Sequence, residues 1–275
     1  TLTAQWARAG AQTVVTFDAN GGEVSEEERT LGAGAALTGL PVPTRSGYTF
    51  TGWYYEHERV YEGYVFPLEA ETAALRAAWM SDSVWDGTAA EAYAGGTGTE
   101  SDPYRIETGA QLAYFAAQVN GGNDYAGAYF TLVNGIDLGS EAWTPVGTDA
   151  HPFCGVFDGN DNKVDNIVTS GANYVGFFGA VKNGAVVQNL TVDIRTNGTQ
   201  FVGGIAGGTD QEVHIRNCEV YGTVSATGNF VGGVVGLLRI PDEATVENCK
   251  VFADVVTNGG SVGGVVGCNR ATVIN

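Results

Sequence analysis

Few residues in this chain stand at spacings that do chemistry. Gly259-Gly-Ser261-Val-Gly263 fits the G-x-S-x-G pattern in which a strained turn presents a serine nucleophile. That chemistry needs a strand–turn–helix around the serine, and Ser261 instead occupies a repeat position that Phe201 and Phe230 hold elsewhere. Asp158-Gly-Asn160-Asp161-Asn162 begins like a calcium loop, but Lys163 replaces the required glycine and Thr169 the required bidentate glutamate. A turn held by side-chain hydrogen bonds is the expectation there. His57, His151 and His214 lie far apart; Asp149 and Cys154 near His151 make a conceivable metal corner, for which a surface loop is the plainer reading. No catalytic residue, cofactor site or metal ligand is assigned, and the chain reads as a non-enzyme.

The elements that carry these residues announce themselves by repetition. Val175-Gly-Phe-Phe-Gly, Val202-Gly-Gly-Ile-Ala-Gly, Val231-Gly-Gly-Val-Val-Gly and Val262-Gly-Gly-Val-Val-Gly recur at intervals of 27, 29 and 31 residues. A period in this range means stacked repeats, none of which buries its apolar face alone. Between them run Asn189-Leu-Thr-Val-Asp-Ile-Arg-Thr, Asn217-Cys-Glu-Val-Tyr-Gly-Thr-Val and Asn248-Cys-Lys-Val-Phe-Ala-Asp-Val. Odd offsets from each Asn are apolar or small and even offsets polar or mixed, the period of two of a half-buried strand. Stacked in register with glycine turns, such strands make a parallel β-helix with coils about 4.8 Å apart. Glycine is expected at the turns because it reaches positive φ without steric cost.

The same columns bear on enzymatic alternatives. A polysaccharide-cleaving β-helix needs carboxylates clustered on an outward face. The outward columns Thr191/Glu219/Lys250, Asp193/Tyr221/Phe252 and Arg195/Thr223/Asp254 stack no two acids. Tyr221 and Phe252 are the one candidate ligand contact: they could form a small stacking patch for sugar or protein, or pack beneath a neighbouring loop.

Thirty-one acids against thirteen bases give a formal net charge of −18, spread without blocks of like charge. Nucleic acid is thereby disfavoured as a partner. Four cysteines do not make a disulfide scaffold. Cys218 and Cys249 share an inward column on successive coils with parallel side chains, so free thiols are favoured over a bridge; Cys154 and Cys268 have no evident partner. No apolar run approaches a membrane span, so this segment is not expected to insert.

Residues 11–79 read as a unit of their own. Thr13 to Phe17 is a strand, Asp18-Ala-Asn-Gly-Gly22 a turn, and Tyr48-Thr-Phe50 with Gly52-Trp-Tyr-Tyr55 a further strand. Leu75 to Trp79 closes the unit as a strand, echoing Leu2 to Trp6; residues 1–10 are therefore expected to end a preceding repeat and lead into this one. Residues 80–84 read as a linker. In residues 85–275, Thr108 should cap a helix with Gln111 in a capping box, Leu112, Phe115, Ala116 and Val119 on one face, and Gly121-Gly122 at its end. That helix should cap the solenoid. Val273-Ile-Asn275 stops where another Asn-initiated strand would start, so the chain is expected to be a segment of a longer protein.

Val15-Thr-Phe-Asp-Ala-Asn-Gly-Gly22, Pro43-Thr-Arg-Ser-Gly-Tyr-Thr-Phe-Thr-Gly-Trp53 and Ala77-Ala-Trp79 resemble the Listeria–Bacteroides repeat, the internalin-type B-repeat. The resemblance implies a small β-grasp-like module used in tandem on bacterial surface proteins. Asp102-Pro-Tyr-Arg-Ile106, Trp143-Thr-Pro-Val-Gly147, Phe153-Cys-Gly-Val-Phe-Asp-Gly-Asn160 and the glycine phrases resemble GLUG-motif proteins. That second resemblance implies a right-handed β-helix of secreted or wall-attached bacterial proteins; Asp161-Asn-Lys163 departs from the family's usual turn.

The expected fold is therefore mainly β: a small β-grasp-like module followed by a right-handed parallel β-helix with an N-terminal helical cap. The expected role is adhesion, or a stalk displaying a distal region, on the bacterial surface or cell wall, with a host or neighbouring-cell protein or glycan as partner. The alternative is an accessory region of a secreted glycan- or protein-degrading enzyme.

Overall fold

The computed structural model describes residues 10–239, 244–269 and 272–274, with the side chains of Thr272 and Ile274 left aside. The strand expected at Leu2 to Trp6 lies outside the described residues. The chain divides into two compact units between Asp82 and Ser83.

In the first unit, alternation in Gln12–Asp18 (β1) buries Val15 and Phe17 and turns Thr16 and Asp18 to solvent. The further strands are Glu28–Gly32 (β2), Ala36–Leu37 (β3), Tyr48–Tyr55 (β4), Glu58–Val60 (β5), Tyr64–Val65 (β6) and Thr72–Val84 (β7). β1 pairs antiparallel with β2 and parallel with β7, β7 pairs antiparallel with β4, and β4 with β5. A central parallel pair inside an otherwise antiparallel sheet is the pattern of a β-grasp-like module. The repeat's signature residues form one tertiary lock. Trp79 Nε1 donates to Ala19 O at 3.0 Å, and Asn20 Nδ2 donates to Ala77 O at 3.0 Å. A Cβ on Gly22 would overlap both Thr44 O and the Trp79 ring, so only glycine fits.

β7 runs through the segment expected as a linker. Ser81 pairs with Tyr48, the Asp82 amide donates to Gly47 O at 3.0 Å, and Thr49 Oγ1 donates to Asp82. Polar, small residues read as a linker because they make no core contacts; backbone pairing to β4 orders them all the same.

The second unit is a β-helix of about six turns. Its entrance is closed by an α-helix, Gly109–Asn120 (α1), with Thr108 accepting the Gln111 amide and Leu112, Phe115, Ala116 and Val119 buried. Phe115 sits 4.5 Å from Phe130 and 5.7 Å from Phe157 by ring centroids, so the cap covers apolar coil ends that would otherwise meet water. Beyond it, parallel pairing carries Phe130, Phe157, Val187, Ile215 and Val246 inward in one row, and Val164, Val192 and Val220 in another. Each fully buried aliphatic or aromatic side chain contributes roughly 1.5–3 kcal/mol. Cys218 and Cys249 are buried free thiols, and burial pushes the Cys218 thiol up from its ordinary value.

The turns reverse one expectation. Gly203, Gly204, Gly232 and Gly233 of the repeated phrase do not adopt positive φ. They are glycine for want of space: a Cβ on Gly204 would overlap Gly233 O and the Val220 side chain, and one on Gly233 would overlap Gly264 O and Val251. Positive φ falls instead to Asn189, Asn217 and Asn248 (53°, 53° and 49°) and to Tyr174, Phe201 and Phe230 (56°, 56° and 65°). Asparagine tolerates that conformation and aromatic residues resist it. In-register stacking supplies the compensation. Asn217 Nδ2 donates to Asn189 Oδ1 at 2.9 Å, while the Phe201 and Phe230 rings stack at 5.3 Å and 5°. Such an aromatic pair contributes roughly 0.5–1.5 kcal/mol beyond its burial.

Gly233→Ala is expected to lower stability by about 1–3 kcal/mol through overpacking. Gly264→Ala, whose Cβ meets nothing within 4 Å, should stay within about 0.5 kcal/mol of the parent. Denaturant unfolding measures both, and equal losses would contradict the spatial explanation. A second outcome concerns Tyr93, whose phenol burial, and then its hydrogen bond to Tyr125 at 2.7 Å, holds protonated far above the usual range. The folded pKa is raised, so the stabilisation is complete below about pH 10 and is lost as pH rises further, the unfolded chain releasing a proton the folded chain keeps. Tyr93→Phe should flatten the alkaline limb of stability against pH; an unchanged slope would contradict this.

Candidate functional site

Even-offset residues of the Asn-initiated strands leave the β-helix wall in register and form a continuous outward strip. Asp193 pairs with Tyr221, and Thr191 with Glu219 and then Lys250. The Tyr221 and Phe252 rings stack at 4.8 Å and 18°, and Phe252 is 58% exposed. The structure therefore brings together the two residues singled out in sequence, with Phe252 exposed and not packed beneath a loop. Their rings lie one above the other along the stack, so Tyr221 gives one face to Phe252. Lys163 Nζ approaches the Tyr221 ring at 5.8 Å. What the pair offers a partner is ring edges and the outer face of Phe252.

Charged groups surround the rings. Tyr221 Oη donates to Glu219 Oε2 at 3.1 Å, and Lys250 Nζ lies 3.4 Å from Glu219 Oε1. Lys163 Nζ stands 3.0 Å from Asp165 and 3.5 Å from Asp193. One coil earlier, Asp137 pairs in register with Asp165, and Asn166 Nδ2 donates to Asp137 at 2.9 Å. The three coils read from sequence stack no acids, but the earlier coils do. Ile136-Asp137, Val164-Asp165 and Val192-Asp193 repeat an apolar–Asp step that carried the signal. An irregularity between Asp158 and Asn162 sets three residues opposite Asn189, so this coil has no matching asparagine and alignment on the asparagines passes it over. Lys163 and Asn166 spread the like charges that stacking imposes.

The isolated motifs resolve into structure. Asp158 Oδ1 accepts from the Asn160 amide at 2.7 Å and Asn189 Nδ2 at 3.0 Å, and Oδ2 accepts from Gln188 Nε2 at 2.7 Å, so this carboxylate anchors the asparagine ladder. Around His151 the three residues of the conceivable metal corner have separate partners. His151 Nδ1 meets Asn120 O at 2.8 Å, and Asp149 takes Lys182 Nζ at 2.7 Å, which lowers its pKa. Cys154 is buried, with its thiol pushed up by desolvation. Ser261 gives its carbonyl to the Val231 amide, a coil-to-coil ladder bond. His214 Nδ1 meets Thr245 Oγ1 at 2.9 Å.

Residues 14–71 match the Listeria-Bacteroides repeat domain. Over 110 residues the chain is 34% identical to a protein of Evansella cellulosilytica described as "Putative Gly-rich membrane protein", covering 36% of this chain and 12% of that one. Over 163 residues it is 32% identical to halomucin of Haloquadratum walsbyi, covering 55% of this chain and 2% of that one. The chain thus spans only a small part of the length of either relative. A solved structure from Bacteroides ovatus, described as a "putative immunoglobulin A1 protease", superposes with a TM-score of 0.50 at 24% identity, over 66% of this chain and 67% of that one. That likeness concerns the fold. The first unit is a repeat domain of the surface-protein type, and among the described residues no helix is long and apolar enough to cross a membrane.

Lys163→Gln is expected to cost about 1 kcal/mol at low ionic strength, because Asp165 and Asp193 lose their shared cation. In molar salt, where screening acts within about 3 Å, the deficit should shrink. Unfolding curves at two salt concentrations decide it; a deficit independent of salt would contradict the electrostatic role.

Proposed function

We propose that this chain is a segment of a bacterial cell-surface protein, extracellular in location, that serves adhesion or displays a distal region. The observation carrying the proposal is the joining, in one chain, of a Listeria-Bacteroides repeat domain to a β-helix whose outward side chains form ordered strips. The glycine phrases are read as coils of the GLUG type. The reading is non-enzymatic and needs no cofactor. Its mechanism is interfacial: backbone ladders hold the coils, and the strip of Lys163, Asp193, Glu219, Tyr221, Lys250 and Phe252 meets a partner protein. An exposed aromatic ringed by charges of both signs suits a partner surface of mixed polarity. Net charge of −18 sets the preference toward partners that are not themselves strongly acidic.

The purified chain, titrated over immobilised host matrix proteins and mucins, should bind at least one saturably. Phe252→Ser, and Tyr221→Ser with it, should weaken that binding at least about tenfold, the loss of a modest interface anchor. The variants' unfolding midpoints should stay close to the parent's. Binding to nothing would leave a spacer, and cleavage of the immobilised protein would make the chain part of a degrading enzyme; either result overturns the adhesive reading.

A further inference from the structure

A second outward face of the β-helix carries a groove that the strip around Tyr221 does not include. Residues of strands 129–132, 156–158, 186–188 and 214–216 form its floor, Glu100 and Pro103 border it, and the open groove holds about 370 Å³. That lies in the range of small-ligand sites. Two outward rows run along the floor in register, about 7 Å apart because alternate residues of one strand share a face. One row is apolar: Tyr129, Val156 and Val186, each half-buried. The other is polar: Thr131, Asp158, Gln188 and Arg216.

The polar row is held in place before any ligand arrives. Arg216 donates from Nε and NH2 to Gln188 Oε1 at 2.9 and 2.6 Å, and Gln188 Nε2 donates to Asp158 at 2.7 Å. This chain leaves the other guanidinium N–H groups of Arg216 at an exposed position, in line with an acceptor-rich row. The bordering wall is pinned as well. The Thr97 and Gly98 amides donate to Asp102 O, each at 3.0 Å, and the Tyr129 amide donates to Gly98 O at 2.9 Å. The Glu100 carboxylate, exposed on that wall, has no hydrogen-bond or ion-pair partner among the described residues. Preorganised polar groups facing an apolar stripe lower the entropic cost of capturing a ligand.

We propose that this groove binds an extended, neutral oligosaccharide. Its floor is a sheet face whose strands are already paired on both sides, so it offers no backbone edge to an incoming peptide strand. Recognition must come from side chains, and those present alternate acceptors and donors beside an aromatic and aliphatic stripe. A sugar chain has the matching surface: hydroxyls that both donate and accept along its edges, and apolar C–H faces to lie against Tyr129, Val156 and Val186. One arginine among the acids of a chain with net charge −18 disfavours a polyanion. The proposal deepens the surface-segment reading by naming a glycan as a partner, at a site separate from Tyr221 and Phe252.

Calorimetric titration of the intact chain with cellohexaose, chitohexaose, mannohexaose and xylohexaose tests it, with hexagalacturonate and an extended Ser/Thr-rich peptide as controls. At least one neutral hexasaccharide should bind saturably. Glu100→Gln and Arg216→Ala should each weaken it about tenfold, the magnitude of one lost charge-assisted hydrogen bond. Circular dichroism and unfolding midpoints check that both variants fold, and Phe252→Ser should leave sugar affinity unchanged. Absence of saturable binding by all four sugars at millimolar concentration overturns the proposal. So does affinity indifferent to both groove variants, or binding of hexagalacturonate or peptide alone. If protein binding that depends on Phe252 survives while sugar binding fails, the groove proposal falls and the adhesive reading stands.

Discussion

Coils of the β-helix approach one another so closely at the paired glycines that no Cβ fits between them, and the rest of the second unit follows from that contact. Gly204 lies against Gly233 O, and Gly233 against Gly264 O. Once those backbones meet, each later residue is fixed over its counterpart in the neighbouring coil. Inward rows then build the core, and outward rows become ladders of side chains that no single coil could hold in place. Stacking identical chemistry rewards asparagine and aromatic residues in a left-handed conformation that they would otherwise resist. It also penalises stacked acids, which is why Lys163 bridges Asp165 and Asp193.

Function, on this account, is a consequence of register. A parallel β-helix lays side chains out in rows at fixed spacing. One such row ends in the stacked Tyr221 and Phe252; a pair of others lines the groove beside Glu100. In the first unit the motif residues serve folding: the Asn-Gly-Gly turn and the closing Trp79 hold each other, leaving the module's sequence signature largely internal.

Much of this was legible before any coordinates. Alternation from Asn189, Asn217 and Asn248 predicted which residues face inward, and the capping and apolar spacing of Thr108 to Gly122 predicted α1 with its buried face. The Asn-Gly-Gly and Gly-Trp phrases marked the repeat domain now matched at 14–71. Other features were hidden for physical reasons. Glycine was expected for its backbone freedom, whereas coil-to-coil proximity demands it at the repeat positions, and proximity is a tertiary fact. The Asp137–Asp165 pair was masked because the irregularity between Asp158 and Asn162 leaves that coil without the asparagine that marks the later ones. Ser81 and Asp82 read as linker because pairing through the backbone leaves no trace in side-chain type. The groove joins a loop at 100–103 to four separate strands, the last of them more than a hundred residues away, beyond the reach of any local pattern.

Amide hydrogen exchange followed by mass spectrometry tests the stacked register most directly. Peptides covering 202–206 and 231–236 are predicted to be strongly protected and to exchange together, as one cooperative unit whose opening requires the coils to separate. Exchange of either peptide at the rate of an unfolded chain, or at rates independent of the other, would contradict the account.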